Sequence, residues 1–217
     1  DAAHQLRTPV AGLKAHVEVA LREEDPARMR QALAHLYVGV ERMSRLVAQL
    51  LSLARNEPTT VKQLELTPLD LAKLAFDVTM EWVPNAYRNQ IDLGFEGASH
   101  GLMIEGDAPR LTELINNLLD NASRYSHEGG RVTVRVTADP APRVSVSDDG
   151  PTIPVADRER VFERFHRLLG TRADGSGLGL AIAREIASLH GAQITLDDDQ
   201  DGVGNTFTIA FAGQPSA

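Results

Sequence analysis

The first fifty residues carry apolar side chains at spacings of three and four, which is typical of helices that bury one stripe. One run covers residues 6–21 and a second covers residues 29–54. Between them Asp25 can cap the second helix, with Pro26 in its first turn. The pattern predicts a two-helix hairpin. Because two copies can bury both stripes in a four-helix bundle, we expect a homodimer, with packing against the rest of the chain as the alternative.

Beyond residue 60 the pattern changes to short strands and amphipathic helices, which predicts an α/β unit. Valines alternate with polar residues over 131–136 and 143–147, and this indicates strands with one solvated face. We expect one mixed sheet covered on one face by three helices. The predicted helices are 69–82, 107–124 and 178–189, and the other predicted strands are 63–67, 91–95, 102–105, 193–196 and 206–211.

The charge distribution changes at the same place as the pattern. Residues 1–57 contain eight Lys/Arg and seven Asp/Glu, whereas residues 58–217 contain fourteen and twenty-three. We therefore predict a helical hairpin domain over 1–57, a linker over 58–60 and an α/β domain over 61–217.

Composition narrows the class of protein. The 217 residues are 42% apolar, which is enough for a sizeable core. No run approaches the ~18 uncharged apolar residues of a membrane-spanning helix. The lack of cysteine excludes disulfides, thiolate metal sites and cysteine nucleophiles. The net charge of −8 argues against non-specific nucleic-acid binding, which needs a basic surface.

His4 falls one step off the first apolar seam, so we expect it on the exposed flank of the helix. Thr8 lies one turn later on the same face, and Pro9 removes a helical hydrogen bond and predicts a bend. An exposed histidine beside a bend is a candidate catalytic residue, with an ordinary surface histidine as the alternative. Because the sequence begins inside this helix, we expect a longer protein with any sensor or membrane segment upstream.

The first polar cluster lies on the helix predicted over 107–124. Asn117 and Asn121 are four residues apart, so their amides share one face. An amide oxygen is a suitable neutral ligand for Mg²⁺. Arg124 can pair with a phosphate, and Tyr125 can pack near a base or ribose. The alternative for the two asparagines is an exposed polar helix face.

The second cluster directly follows a predicted strand and contains Asp148, Asp149 and Gly150. A carboxylate at the end of a strand can accept from an exocyclic amine, which would select adenine because guanine has a carbonyl there. Gly150 would allow close backbone approach. A tight Asp-Gly turn is the alternative.

The third cluster is glycine-rich and opens the last predicted helix. Gly175, Gly177 and Gly179 let backbone N–H groups approach a phosphate at a helix N-terminus. A Rossmann motif is excluded because no strand immediately precedes the glycines, and no Gly-Lys-Ser/Thr of a Walker motif occurs. The segment 171–176 suits a lid that orders on nucleotide, with a solvated loop as the alternative.

In this order, the motifs resemble those of a bacterial sensor histidine kinase. Residues 4–10 are similar to the phosphoacceptor H box, 117–121 to the N box and 148–153 to the G1 box. Residues 162–165 are similar to the F box and 175–179 to the G2 box. The resemblance implies a dimeric four-helix bundle followed by a Bergerat-type (GHKL) ATP-binding α/β sandwich.

The resemblance also implies roles for individual residues. His4 is the expected phosphorylated residue, Asn121 the Mg²⁺ ligand and Asp148 the adenine reader. The other residues expected at the site of ATP are Asn117, Arg124, Tyr125, Gly150, Ile153, Phe165, Gly175, Gly177, Leu178 and Gly179.

The implied activity is autophosphorylation of His4 from ATP and Mg²⁺, followed by transfer to an aspartate on a response-regulator receiver domain. Thr8 resembles the residue that orients water for dephosphorylation of that regulator. The segment 57–60 is expected to act as a hinge. The chain is expected to be the cytoplasmic portion of a bacterial inner-membrane sensor.

Two positions depart from the family pattern. Gln5 replaces the usual acidic residue, so its amide can orient the imidazole but cannot act as a base. Thr152 replaces a glycine, and a β-branched residue resists positive φ, which predicts a shifted turn and weaker nucleotide binding. These departures leave a second hypothesis, a degenerate kinase acting as a nucleotide-binding scaffold or phosphatase. A third is another GHKL ATPase that releases phosphate to water.

Overall fold

The computed structural model of the chain describes residues 2–56, 64, 66–168, 175–198 and 202–212, with the backbone alone at residues 2–9 and 42. The chain divides into two compact units, Asp1–Ala54 and Arg55–Ala217. The linker predicted over 58–60 lies outside the described residues and stays a prediction. Within the described ranges, no helix combines the length and the apolarity needed to cross a bilayer.

The first unit is the predicted helical hairpin. Helix α1 (Ala2–Arg22) and the start of α2 (Pro26–Asn56) are joined by a short loop, and the Asp25 carboxylate accepts a hydrogen bond from the Ala27 N–H at 2.8 Å. The two helices approach closely at Gly39, where a Cβ would lie 2.6 Å from Leu13 Cδ2. Apolar side chains of both seams stay exposed in the single chain, among them Val10, Leu33 and Val40.

The strands of the second unit form two sheets within the described residues. The five-stranded sheet has the order β2-β4-β5-β7-β6, in which β2 and β4 are parallel and the other neighbours antiparallel. The expectation of a mixed sheet is confirmed, but that of a single sheet is wrong, because β1 and β3 pair with each other. The strands are β1 (Thr67–Asp70), β2 (Asp92–Glu96), β3 (Met103–Gly106), β4 (Arg131–Thr137), β5 (Arg143–Asp148), β6 (Gln193–Asp198) and β7 (Asn205–Ala210).

One face of the five-stranded sheet is covered by α3 (Leu71–Arg88), α4 (Ala108–Tyr125) and α5 (Gly179–Leu189). Every second residue of β4, β5 and β7 is buried beneath these helices. In β5 the buried series runs through two valines and ends at Asp148, and in β7 it begins at Asn205. The alternation therefore places two polar side chains at one end of an otherwise apolar face.

Most predicted element ends lie within two residues of the observed ones, and the exceptions are the segment before the first covering helix and the end of that helix. Part of the strand predicted over 63–67 lies outside the described residues, and the observed strand β1 covers Thr67–Asp70. The helix predicted from residue 69 begins at Leu71. The reason is Asp70, whose extended backbone and side chain cap α3 through the N–H groups of Ala72 and Lys73. The helix also continues past Pro84 to Arg88.

Asp70 also joins the start of α3 to the loop before β3. Its carboxylate accepts from the backbone N–H groups of Gly101 at 2.5 Å and Leu102 at 3.1 Å. The hydrogen bond from Gly101 is the largest cause that lowers the pKa of Asp70 below its ordinary value, and the helix-capping bonds act in the same direction. The ionised carboxylate therefore holds two connections at once.

His190 links the end of α5 to the beginning of α4. Its Nδ1 donates to the Ile186 carbonyl at 2.8 Å, and its Nε2 accepts from the Asp107 N–H at 3.0 Å. Asp107 in turn caps α4 through the Arg110 N–H. Only a neutral imidazole can donate from one nitrogen and accept at the other. Burial is the main cause that lowers the pKa of His190, with Arg110 acting in the same direction and Asp107 and Ile186 opposing it.

This arrangement predicts a loss of stability in acid. The unfolded state binds a proton on His190 near the ordinary pKa of 6.5, whereas the folded state resists it. The contribution is complete above that pH and is lost as the pH falls toward the folded-state pKa. We expect urea unfolding at pH 5.5 to show a loss of up to about 1 kcal/mol relative to pH 7.5, a value limited by the partial exposure of the ring. His190→Gln should lack this component, and an identical pH dependence in the variant would contradict the assignment.

Candidate nucleotide site

Asp148 is the last residue of β5, and its side chain is buried, with a relative exposure of 2%. One carboxylate oxygen, Oδ1, accepts from the Gly150 N–H at 3.0 Å and from Asn205 Nδ2 at 2.9 Å. Two donors on one oxygen fix the plane of the carboxylate. A buried carboxylate held in this way is a directional hydrogen-bond acceptor at the edge of the sheet face that the helices cover.

Asn205 is a residue that the sequence analysis missed. Its side chain is almost fully buried, and its Nδ2 donates to Asp148 and to the Pro151 carbonyl at 3.1 Å. Its Oδ1 accepts from the Ile153 N–H at 2.8 Å. The Asn205 amide therefore hydrogen-bonds residues 148–153, at and after the end of β5, to the first residue of β7. Extending the buried alternation of β7 back by one residue would have identified Asn205 as buried. The pairing of β5 with β7 then places Asn205 opposite Asp148.

Thr152 links the segment after β5 to the residue before β7 through a hydrogen bond. Its hydroxyl accepts from the Gly204 N–H at 3.0 Å, and the residues described with positive φ outside glycine do not include it. Gly204 has φ +94°, and a Cβ there would lie 2.0 Å from the Asp148 carbonyl oxygen. Thr152 thus occupies this position without a positive φ, and the weaker nucleotide binding expected from it stays a prediction.

Gly150 permits the close approach that the sequence analysis expected of it, but toward protein backbone. A Cβ at this position would lie 2.7 Å from the Tyr125 carbonyl oxygen and 2.9 Å from Asp148 Oδ1. The end of α4 therefore sits directly against the segment that follows β5. Among the predicted site residues of these two segments, Ile153 is buried and Tyr125 is half-buried.

The two asparagines of α4 have different surroundings. Asn117 Nδ2 donates to the Glu113 carbonyl at 2.9 Å, and its Oδ1 lies 3.1 Å from the position that a Cβ on Gly179 would take. Asn117 thus faces the first turn of α5. Asn121 is half-buried one turn farther along the same face. An amide oxygen suits Mg²⁺, a hard cation that keeps several waters and bridges phosphates.

Arg124 is engaged by a carboxylate in this structure. Its guanidinium pairs with Asp120 at 2.5 Å, and its Nη1 lies 3.9 Å from the position of a Cβ on Gly175. The guanidinium therefore lies near Gly175, the first residue of the glycine segment. The predicted contact of Arg124 with phosphate stays a prediction, and the Asp120 pair holds the cation at that edge.

The glycine segment and the F box are fastened to each other. Phe165 N–H donates to the Gly177 carbonyl at 2.8 Å, and both residues have positive φ, +65° and +69°. A Cβ on Gly177 would lie 2.9 Å from Phe165 Cα, so only glycine fits. Leu178 is fully buried and has no polar side chain to cap α5, which leaves the first turn for another acceptor. The lid predicted over 171–176 lies outside the described residues except at its last two positions.

The structure brings together the predicted residues of α4, the segment after β5 and the start of α5. His4, Gln5 and Thr8 lie on α1 in the other unit, and their side chains are outside the described part of the chain. Their catalytic roles stay predictions. Among the described residues, no group of three or more His, Asp or Glu side chains is placed to hold a metal ion. The donor set fits Mg²⁺ held by Asn121 together with phosphate oxygens and water.

Two family models match the chain. Residues 1–59 match the His Kinase A (phospho-acceptor) domain, and residues 106–214 match the histidine kinase-, DNA gyrase B- and HSP90-like ATPase. These matches cover the hairpin and most of the α/β unit.

Individual relatives agree with the two models. Sensor protein QseC of Escherichia coli (strain K12) is 38% identical over 203 residues, which are 93% of this chain and 44% of QseC. The histidine-protein kinase/phosphatase MprB of Mycobacterium sp. (strain KMS) is 37% identical over 99% of this chain and 43% of its own length. The chain thus spans less than half the length of these relatives. A solved structure of histidine kinase ThkA in complex with the response regulator protein TrrA has a TM-score of 0.79 at 24% identity, covering 98% of this chain and 60% of that one, and shows the fold.

Proposed function

The chain belongs to the sensor histidine kinases, and from that membership we propose that its α/β unit binds ATP with Mg²⁺ and phosphorylates His4. The observation that carries the proposal is the buried Asp148 carboxylate, fixed by Asn205 and Gly150 at the end of β5. An oriented acceptor at this place binds the exocyclic amine of adenine. Guanine offers a carbonyl at the same position, so it would meet a second acceptor and be rejected.

The start of α5 and the exposed side of α4 are the proposed phosphate site. The N-cap residue Leu178 supplies no side-chain cap to the first turn of α5, whose N–H groups and helix dipole favour an anion. Arg124 and Asn121 approach from α4, so a cation and a metal ligand face the same place. When bound, Mg²⁺ would offset charge on the phosphate oxygens.

Phosphoryl transfer is proposed to proceed from ATP to the imidazole of His4. The unprotonated ring nitrogen forms the new N–P bond as the bond from the γ-phosphorus to the bridging oxygen of ADP breaks. Gln5 accepts a hydrogen bond and orients the ring, and water takes the remaining ring proton. This division of labour makes catalysis mostly a matter of positioning and electrostatics.

The partners follow from the same proposal. The exposed apolar seams of α1 and α2 are suited to a second copy of the hairpin in a four-helix bundle. The phosphoryl group is then passed to an aspartate of a response-regulator receiver domain. In the separate dephosphorylation of that regulator, Thr8 orients the water that hydrolyses the aspartyl phosphate to free phosphate. The chain is proposed to be the cytoplasmic part of a membrane-bound sensor.

Incubation with γ-labelled ATP and Mg²⁺ tests the activity. The expected product is a protein-bound label that is stable in alkali, labile in acid and transferable to a receiver domain. Normal ATP binding without such a label, restored by Gln5→Glu, would instead support the nucleotide-binding scaffold. Steady release of free phosphate that is insensitive to His4→Ala would support a different GHKL ATPase.

Asn205→Ala provides a further prediction about the adenine pocket. The change removes two donated bonds and leaves the buried Ile153 N–H without its acceptor, at a cost of roughly 1–3 kcal/mol per buried group. We expect ATP affinity to fall about 10-fold, and the affinity for ITP, which has no exocyclic amine, to fall less. Isothermal titration calorimetry with both nucleotides measures the change in discrimination.

Thr206→Val is the matched control for Asn205→Ala. Thr206 is the next residue of β7, faces away from the buried side and shares a 2.9 Å contact with Ser147 Oγ. Its ATP-to-ITP ratio should equal that of the unchanged chain. Equal losses of ATP and ITP affinity in Asn205→Ala would show that Asn205 supports the fold without positioning Asp148.

A further inference from the structure

Two histidines face each other across the helical hairpin, and neither is among the residues assigned to phosphoryl transfer. His16 on α1 and His35 on α2 are both exposed, and their ring centroids are 6.1 Å apart with planes inclined by 45°. From this juxtaposition we propose that the hairpin binds a divalent transition-metal ion, Zn²⁺ in the first instance, between His16 and His35.

The backbone explains why the two rings reach the same place. The helices come closest where Gly39 leaves room for Leu13. His16 is three residues after Leu13, and His35 is four residues before Gly39. Both histidines therefore lie about one helical turn from this close approach, on the side of the loop that joins the antiparallel helices. The two imidazoles are therefore at the same height along the hairpin and can approach each other.

The distance between the rings suits chelation. With Zn–N bonds of about 2.0–2.1 Å and tetrahedral geometry, two chelating imidazoles have centroids roughly 5 Å apart. The observed separation is about 1 Å larger, which rotation about the side-chain torsions of two exposed residues can close at low cost. Imidazole nitrogens prefer Zn²⁺, Cu²⁺ and Ni²⁺ to Mg²⁺, so the site does not compete for the cation that accompanies ATP.

The pair supplies two ligands from one chain. Within the described residues there is no larger group of His, Asp and Glu side chains able to hold a metal, so the other coordination positions belong to water. Such an ion would tie α1 to α2 near the loop and stabilise the hairpin against separation of its helices. This role is independent of nucleotide binding by the α/β unit.

The test is calorimetric titration of the whole chain with ZnCl₂ in the absence of nucleotide. We expect one site that weakens at least about 10-fold in His16→Ala and in His35→Ala, because either change converts chelation into single-ligand binding. The double variant should bind Zn²⁺ more weakly than either single variant, but its loss should be smaller than the sum of the two single losses. Zn²⁺ should also raise the thermal unfolding temperature of the unchanged chain but not of the variants.

His100→Ala is the matched control, since His100 is an exposed histidine in the other unit. It should leave the Zn²⁺ affinity unchanged. The proposal is overturned if either single variant binds Zn²⁺ as tightly as the unchanged chain. It is also overturned if the losses of the two single variants add in the double variant, because independent surface histidines would behave in that way.

Discussion

His4→Gln should reduce formation of acid-labile phosphoprotein by at least about 10³-fold, because the change removes the nucleophile and leaves no equivalent nitrogen. Glutamine keeps a polar side chain of moderate length and good helix propensity, so α1 should be retained. ATP affinity should be unchanged, since the proposed nucleotide site lies entirely in the other unit. Labelled phosphate retained after alkaline treatment measures the first quantity, and calorimetry with ATP the second.

The control for His4→Gln is His100→Gln, which changes an exposed histidine of the α/β unit. Its labelling should match that of the unchanged chain. A His4→Gln protein that still accumulates an alkali-stable label would place the acceptor on a different residue. A variant that also loses ATP binding would show that the two units are not separable in the way proposed.

Asp148→Asn should weaken ATP binding about 10²-fold, since a hydrogen bond to a charged group contributes roughly 1.5–3 kcal/mol. The structure also predicts how the substitution changes the preference for ATP over ITP. Gly150 N–H and Asn205 Nδ2 both donate to Oδ1, so the amide oxygen of the variant must stay at that position. Its NH₂ group then replaces Oδ2 and presents a donor to the amine of adenine. ITP, with a carbonyl at that position, should lose little or gain.

Asp197→Asn makes the same chemical change on an exposed residue of β6 and should leave both affinities unchanged. Tryptophan fluorescence and calorimetry on the same samples separate folding from binding. Equal ATP affinity in Asp148→Asn and the unchanged chain would contradict the assignment of the adenine pocket to the end of β5.

The sequence predicts much of this architecture because the local signals agree with the tertiary packing. Alternation of valine with polar residues in β4 and β5 locates the buried face, and the same period places Asp148 on it. The seams of α1 and α2 and the capping residue Asp25 locate the hairpin. These features are local, so one stretch of chain contains all the information that each of them needs.

The features that the sequence did not predict depend on contacts between distant segments. Asn205 acts on Asp148 from 57 residues away, and only the pairing of β5 with β7 brings them together. The separate ribbon of β1 and β3 likewise requires a partner more than thirty residues away. The hydrogen bond from the Gly204 N–H to the Thr152 hydroxyl spans 52 residues and likewise depends on tertiary packing.

The most direct test of the central claim is to locate the phosphoryl group itself. The chain is incubated with ATP and Mg²⁺, digested at alkaline pH and mapped by mass spectrometry with fragmentation that preserves the N–P bond. The account predicts one ATP-dependent phosphorylated residue, His4, with much less phosphorylation in Asp148→Asn at an ATP concentration that does not saturate the variant. Phosphate on another residue, or an unmodified His4 in a chain that binds ATP normally, would contradict it.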